Sequence, residues 1–153
     1  MGRTEKSIII KAPPEKIWEM LAFDRVPEWM DMMKSVEYTS EVSAPKDKYR
    51  VGATAHGIPE GYDYFNCYFE ITESLENEKM THRLWEKVYR GTLGGLITCT
   101  LEPVEAGTRF TYEFNFNEIP WGILGKIISP IWQRMGRKEY EKALKNLKTI
   151  LEK

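Results

Sequence analysis

The side chains best suited to acid–base chemistry in this sequence are His82, Arg83 and Tyr112. A general acid or base must lie within hydrogen-bond reach of the proton that it transfers, and histidine has this role most often. His82 lies in a strand-like segment, on the same strand face as Leu84 and Glu86, because side chains alternate between faces. Its simpler interpretation is a half-exposed strand residue. We therefore keep His82, Arg83 and Tyr112 as candidate catalytic residues, and the catalytic assignment stays unknown.

The residues that commonly bind metals or cofactors do not form a recognisable pattern. The two histidines, His56 and His82, are far apart in sequence and have no third ligand at a matching spacing. No P-loop, dinucleotide-binding glycine pattern or Ser–His–Asp order is present. We interpret Cys67 and Cys99, which lie in strand-like runs without a nearby histidine, as small buried hydrophobic residues in a reducing compartment. We therefore expect no metal and no cofactor.

Four aromatic residues indicate a different kind of site. Phe110, Tyr112, Phe114 and Phe116 alternate with polar residues and project from one strand face. One helix lying across four adjacent rings does not fill every gap, which predicts an apolar cavity between a curved sheet and a helix. Apolar cavities with few polar groups are the usual small-molecule sites. The predicted ligand-binding residues, each of which could instead be ordinary core, are Trp29, Met33, Phe69, Phe110, Tyr112, Phe114, Ile128, Ile131, Trp132 and Met135.

Polar groups that could orient a ligand are spread over several strands. They are Tyr62, Tyr64, Asn66, Tyr68, His82, Arg83, Tyr112 and Asn115. In the segment that carries the tyrosines, alternation places Phe65, Cys67 and Phe69 on the face opposite the tyrosine–asparagine row. We favour the first set as inward, because Glu70 and Thr72 continue the other face.

The spacing of apolar residues predicts the elements that position these side chains. Period-two alternation gives strands at about 4–11, 33–43, 50–58, 61–74, 79–89, 92–103 and 107–118. Helical spacing predicts a short helix at 15–21, a second short helix capped by Asp24, and a long helix at about 123–151. Gly94-Gly95 indicates a bulge or bend in its strand.

The long helix divides into two halves. Pro130 should kink it, and Gly136 weakens it again. Large apolar residues precede Gly136, whereas charged residues and a narrower leucine stripe follow it. We expect the first half to cover or gate the cavity and the second half to pack on the sheet.

The bulk composition indicates a globular chain without a nucleic-acid partner. Its 153 residues suit one domain, 1–153, and the formal net charge is −1. Nucleic-acid binding would call for a basic excess, and we interpret the cluster Arg134, Arg137 and Lys138 as a solvated helix face. No apolar run approaches the about 20 residues that span a bilayer, and the polar start is unlike a signal peptide. We expect a cytoplasmic protein without integral membrane association.

Segments 10–18, 27–30, 51–52, 107–112 and 143–148 occur in a specific order, with Pro13-Pro14 ahead of Trp18. In this order the chain resembles the START-like (SRPBCC) superfamily, and in particular its polyketide cyclase/dehydrase group. The resemblance implies an α+β helix-grip fold, in which a seven-stranded curved antiparallel sheet wraps around the long C-terminal helix and two short helices follow the first strand. It also implies a deep hydrophobic cavity, with Arg83 and Glu86 as possible counterparts of cyclase residues.

Three functions remain open at this point. The leading one is binding, with transport or sequestration, of a small hydrophobic molecule such as a lipid, quinone or polycyclic aromatic. The second is a cyclase or dehydratase acting in the same cavity, which requires a titratable side chain there. The third is a protein-interaction module with a filled core and an exposed apolar patch. The oligomeric state stays open.

Overall fold

A seven-stranded antiparallel sheet and one long helix form the protein. The computed structural model describes residues 3–61, 66–88 and 90–153. The strands follow the order β1-β7-β6-β5-β4-β3-β2 across the sheet. They are β1 Arg3–Ile10, β2 Met33–Tyr38, β3 Thr54–Pro59, β4 Cys67–Leu75, β5 Lys79–Val88, β6 Gly91–Val104 and β7 Gly107–Glu118. The predicted helix-grip architecture is confirmed.

The helical segments close one side of the sheet. Helix α1 (Pro14–Met20) begins at a proline, whose missing N–H is unneeded in a first turn. A 3₁₀ helix, Phe23–Glu28, follows it. The prediction that Asp24 caps this segment is wrong, because Asp24 lies within it and its carboxylate accepts a hydrogen bond from Lys48 Nζ at 2.7 Å. A further 3₁₀ helix lies at Pro45–Lys48, and α2 spans Gly122–Leu151 without interruption.

Two strands are shorter than their alternation predicts. β2 ends at Tyr38, whose hydroxyl accepts from the Phe23 N–H at 2.8 Å and donates to the Lys48 carbonyl at 3.0 Å. These bonds tie the strand end to the helical layer. Before β3, Gly52 adopts φ 91°, a left-handed conformation that favours glycine, and its N–H donates to the Ile71 carbonyl.

The predicted irregularity at Gly94 and Gly95 is confirmed. The register between β6 and β7 shifts between these glycines. A Cβ on Gly95 would lie 2.1 Å from the Asn115 carbonyl oxygen, so the neighbouring backbone can approach only a glycine here. Irregularities of this kind allow a strand to bend.

The C-terminal half of α2 anchors the helix to the sheet. Tyr140, Ala143, Leu144 and Leu147 are buried. Nearby, the Asn146 side-chain amide donates to the Trp29 carbonyl at 3.1 Å. The half before Gly136 buries only Gly125 and Ser129 among its described residues, and its large apolar side chains face outward or toward a cavity.

Candidate ligand-binding cavity

A cavity of about 420 Å³ lies between the inner face of the sheet and the helical layer. Its walls come from strands β2 to β7, from the 3₁₀ helix at 23–28 and the segment that follows it, and from α2. The lining is predominantly apolar. Among the described residues it consists of Leu21, Phe23, Val26, Trp29, Met30, Met32, Met33, Val36, Pro59, Glu60, Cys67, Phe69, Met80, His82, Leu84, Glu86, Ile97, Cys99, Tyr112, Trp132, Met135 and Tyr140.

His82 is a buried ionisable group of this lining whose ring lies among aromatic side chains. Its side chain is 8% exposed, which corrects its interpretation as a half-exposed strand residue. The ring meets Phe23 edge-on at 5.2 Å between centroids and lies 5.9 Å from Phe69. Its Nδ1 has no hydrogen-bond partner. Because burial disfavours the charged form, the pKa of His82 falls to about 4, and the ring is neutral near pH 7.

A second polar group, Glu86, lies on the same strand face as His82. At a rise of 3.3 Å per residue the two are about 13 Å apart along β5, with Leu84 between them. Burial raises the pKa of Glu86, and no ion pair joins it to another residue in the described part of the chain. The cavity therefore has a neutral hydrogen-bonding group at one end and a carboxyl group at the other.

The exposed Glu60 and the tyrosine and cysteine side chains complete the polar part of the lining. The rings of Tyr112 and Tyr140 lie 4.9 Å apart, and burial raises the pKa of both phenols. Cys67 and Cys99 are free and buried. Burial raises the pKa of each thiol to about 12, so neither is a thiolate nucleophile at neutral pH.

The cavity meets solvent beside the first half of α2. Met135 lines the cavity, yet 63% of it is exposed, so it marks the mouth. Trp132 is partly exposed and lies on the same rim. A neighbouring cavity of about 250 Å³ shares Trp132, Met135, Glu86 and Tyr140, and extends the space toward Phe114 and Phe116.

The ten residues expected to bind ligand have different positions. Six line the main cavity: Trp29, Met33, Phe69, Tyr112, Trp132 and Met135. Phe114 lines the neighbouring cavity. Phe110 is fully buried beneath the Trp29 ring at 6.3 Å between centroids. Ile128 lines neither cavity, and Ile131 is 60% exposed on the solvent side of α2.

The polar candidate residues lie on two different faces of the sheet. His82 and Tyr112 line the cavity. Arg83 points to the outer face, where it pairs with Glu118 at 2.7 Å and lies 4.4 Å from the Trp85 ring centroid. This position corrects its candidacy as a catalytic residue of the cavity, because alternation separates it from His82.

The orientation of β4 agrees with the favoured one. Cys67 and Phe69 line the cavity, while Tyr68 packs outside against His56 and stacks on Trp85. His56 Nε2 lies 2.6 Å from Asn66 Oδ1 on this outer surface. Asn115 is also exposed. Tyr62, Tyr64 and Phe65 lie outside the described residues.

Sequence reasoning missed part of the lining. Met80, Leu84 and Glu86 share the His82 face, so an inward His82 would have identified all of them. The sequence pattern placed Tyr140 on the apolar face of the long helix, but did not indicate that it lines the cavity. Among the residues described, no group of three or more His, Cys, Asp or Glu side chains could hold a metal ion. The same residues include no helix with the length and apolar character needed to cross a membrane.

Solved proteins from different sources share this fold. Protein MLL2253 from Mesorhizobium loti is 15% identical over 99% of this chain and 97% of its own, with a TM-score of 0.74. The Aha1 dimer from Colwellia psychrerythraea is 20% identical, with 99% and 96% covered and a TM-score of 0.67. DynU16, from the dynemicin biosynthetic locus, is 16% identical over 98% of this chain and 47% of its own, with a TM-score of 0.63. At these identities the likeness establishes the fold alone.

Comparison with curated proteins finds no match. The family profile described as polyketide cyclase / dehydrase and lipid transport matches residues 1–152, nearly the whole chain. This match confirms the resemblance to the START-like superfamily. The chain belongs to the polyketide cyclase/dehydrase and lipid transport family.

Proposed function

We propose that this protein binds a small, mainly apolar molecule between the sheet and α2, and that one hydrogen-bonding group of this ligand meets His82. The observation that carries the proposal is a buried histidine whose Nδ1 atom has no hydrogen-bond partner, in a cavity with a mainly apolar lining. A volume of about 420 Å³ falls within the range of about 300–1,000 Å³ that is typical of small-molecule pockets. The ligand class is a lipid, quinone or polycyclic aromatic with a hydroxyl or carbonyl group.

The polar groups supply orientation rather than bulk affinity. A buried polar atom that lacks a partner costs about 1–3 kcal/mol, so a ligand oxygen beside His82 offsets a cost already present in the fold. Neutral imidazole both donates and accepts, so either a hydroxyl or a carbonyl suits it. Apolar surface of the ligand would contact Phe23, Phe69 and Met80.

The first measurement is native mass spectrometry of gently purified protein, followed by solvent extraction. A discrete hydrophobic mass that co-purifies would support binding and identify the ligand class. The second measurement uses naphthol and methylnaphthalene, two fluorescent probes of similar shape that differ in the hydroxyl group. Affinities for both are measured with wild-type protein and with His82→Leu.

A hydrogen bond to His82 predicts that the preference for naphthol over methylnaphthalene falls by about two- to tenfold in the variant, the equivalent of 0.5–1.5 kcal/mol. Trp132→Ala should weaken both probes alike. Trp85→Ala, on the outer sheet face, is the matched control and should weaken neither. If neither probe binds saturably, the binding function is wrong; an unchanged preference in His82→Leu refutes the role of His82 alone.

A second candidate function, a cyclase or dehydratase acting in the same cavity, is favoured by the titratable groups of the lining. Burial shifts the pKa of both His82 and Glu86 toward the neutral form, and a protonated Glu86 could act as an acid. Glu86→Gln separates the two functions: it should leave naphthol binding within about twofold if the protein only binds, and should abolish turnover of a reactive polyketide if it catalyses. The interaction-module alternative predicted a filled core, and the cavity of about 420 Å³ disagrees with that prediction.

A further inference from the structure

The first half of α2 presents an apolar stripe to solvent. Five large side chains on this half are more than half exposed: Ile123 78%, Leu124 56%, Ile127 67%, Ile131 60% and Met135 63%. At 3.6 residues per turn they fall within a sector of about 120° around the helix axis. Gly125 and Ser129, which face the protein interior, lie on the opposite side. We name these five residues the α2 stripe.

The residues around the α2 stripe carry one sign of charge. Between Glu118 and Glu139 the chain contains four basic residues and no acidic residue, although the whole chain has a net charge of −1. The four are Lys126, Arg134, Arg137 and Lys138, all exposed. No described carboxylate forms an ion pair with any of them. By helical spacing Lys126 and Arg137 flank the stripe, whereas Arg134 and Lys138 fall within its sector. Arg137 also interacts electrostatically with the Glu141 carboxylate. The surface thus combines an apolar stripe with an excess of positive charge.

We propose that the α2 stripe docks on the surface of an anionic lipid membrane. Helices with an apolar face and Lys or Arg at its margins lie in the membrane interface, where burial of apolar surface and attraction to anionic headgroups act together. The described helices cannot span a bilayer, so the contact is peripheral. A second copy of this chain is a poorer partner, because a symmetric contact would bring the two sets of basic side chains together.

The position of the α2 stripe relative to the cavity suits this contact. Met135 belongs to both the stripe and the cavity mouth. A membrane in contact with the stripe would therefore lie at the rim through which the cavity opens. The docking surface is defined without reference to any ligand, so it can be tested on protein that carries none.

The test is co-sedimentation with vesicles of equal parts phosphatidylcholine and phosphatidylglycerol, compared with pure phosphatidylcholine. Wild-type protein should bind the anionic vesicles and lose binding as salt is added. Ile127→Glu combined with Ile131→Glu should reduce binding at least about tenfold. Val51→Glu combined with Leu75→Glu is the matched control, because Val51 and Leu75 are 61% and 50% exposed and lie outside α2. This control also replaces two exposed aliphatic side chains with carboxylates, and it should bind like wild type.

Charge is tested separately. Since each basic residue near an anionic surface increases affinity roughly fivefold, Arg134→Gln with Arg137→Gln should weaken binding by roughly 25-fold. Circular dichroism and the urea midpoint establish that each variant is folded. Absence of binding by wild-type protein, equal binding to pure phosphatidylcholine, or equal loss in the Val51/Leu75 control would overturn the proposal. A wild-type dimer that Ile127→Glu dissolves would assign the stripe to a second copy and overturn it as well.

Discussion

Replacement of His82 by leucine should make the stability of the protein less sensitive to acid. Burial lowers the pKa of His82 from 6.5 to about 4, so between these pH values the unfolded chain binds a proton that the folded chain excludes. Wild-type protein therefore loses stability as the pH falls through this window, and the effect is absent above it. Since each pKa unit corresponds to about 1.4 kcal/mol, the full effect is about 3 kcal/mol, of which about 2 kcal/mol is expressed near pH 5.

The assay is urea denaturation of wild type and His82→Leu at several pH values between about 7 and 4.5, where carboxylate contributions common to both proteins cancel in the difference. The free energy of unfolding of the variant relative to wild type should rise by about 2 kcal/mol from pH 7 to pH 5. His82→Gln, which also lacks a titrating ring, should show the same trend if leucine overpacks the site. A difference independent of pH in both variants would show that His82 accepts a proton in the folded state as readily as in the unfolded one, and would refute the argument.

Three further predictions concern the scaffold. Leu147→Ala, at a fully buried position of α2, should lower the free energy of unfolding by about 2–5 kcal/mol in urea; a loss below about 1 kcal/mol would mean that this half of the helix is loosely packed. Gly95→Ala should lower the melting temperature, because its Cβ would lie 2.1 Å from the Asn115 carbonyl oxygen; an unchanged melting temperature would contradict the close approach. Cys67 and Cys99, whose thiol pKa values are raised to about 12, should react with an aromatic disulfide reagent at pH 8 only after unfolding. Rapid reaction of the native protein would contradict their burial.

Local patterns predicted the strands and helices, and the resemblance to a family implied how they are arranged in the helix-grip fold. The alternation of Phe110, Tyr112, Phe114 and Phe116 with polar neighbours identified β7 and its buried face, since a strand with one face on the core has only one register that hides its rings. The paired glycines at 94 and 95 identified the bend of β6. The predicted strand bounds are wrong where tertiary contacts end a strand early. β2 ends at Tyr38, whose hydroxyl forms hydrogen bonds with the helical layer.

The site was harder to predict because its key orientation depends on partners that are distant in sequence. His82 shares its face with Leu84 and Glu86, and the charged neighbour favours an outward face when the strand is considered alone. In the sheet, His82 lies between Ile71 of β4 and Ile97 of β6, both buried. Residues paired across a sheet share a face, so the inward Ile71 and Ile97 place His82 inward as well. This pairing is known only once the strand register is known.

The α2 stripe follows from the same kind of reasoning applied to a helix. Five turns of α-helix comprise about 18 residues, so Ser129 has the same orientation as Leu147, and both are buried. By the same rule Ile127 and Ile131 share the orientation of Lys145 and Thr149, which are exposed. Packing of the C-terminal half on the sheet sets the rotation of the whole helix about its axis. Ile127 and Ile131 therefore face the same side of the helix as the polar residues Lys145 and Thr149. Core packing therefore does not explain the two isoleucines, and their apolar surface indicates a partner outside the fold, for which an anionic membrane has the complementary charge.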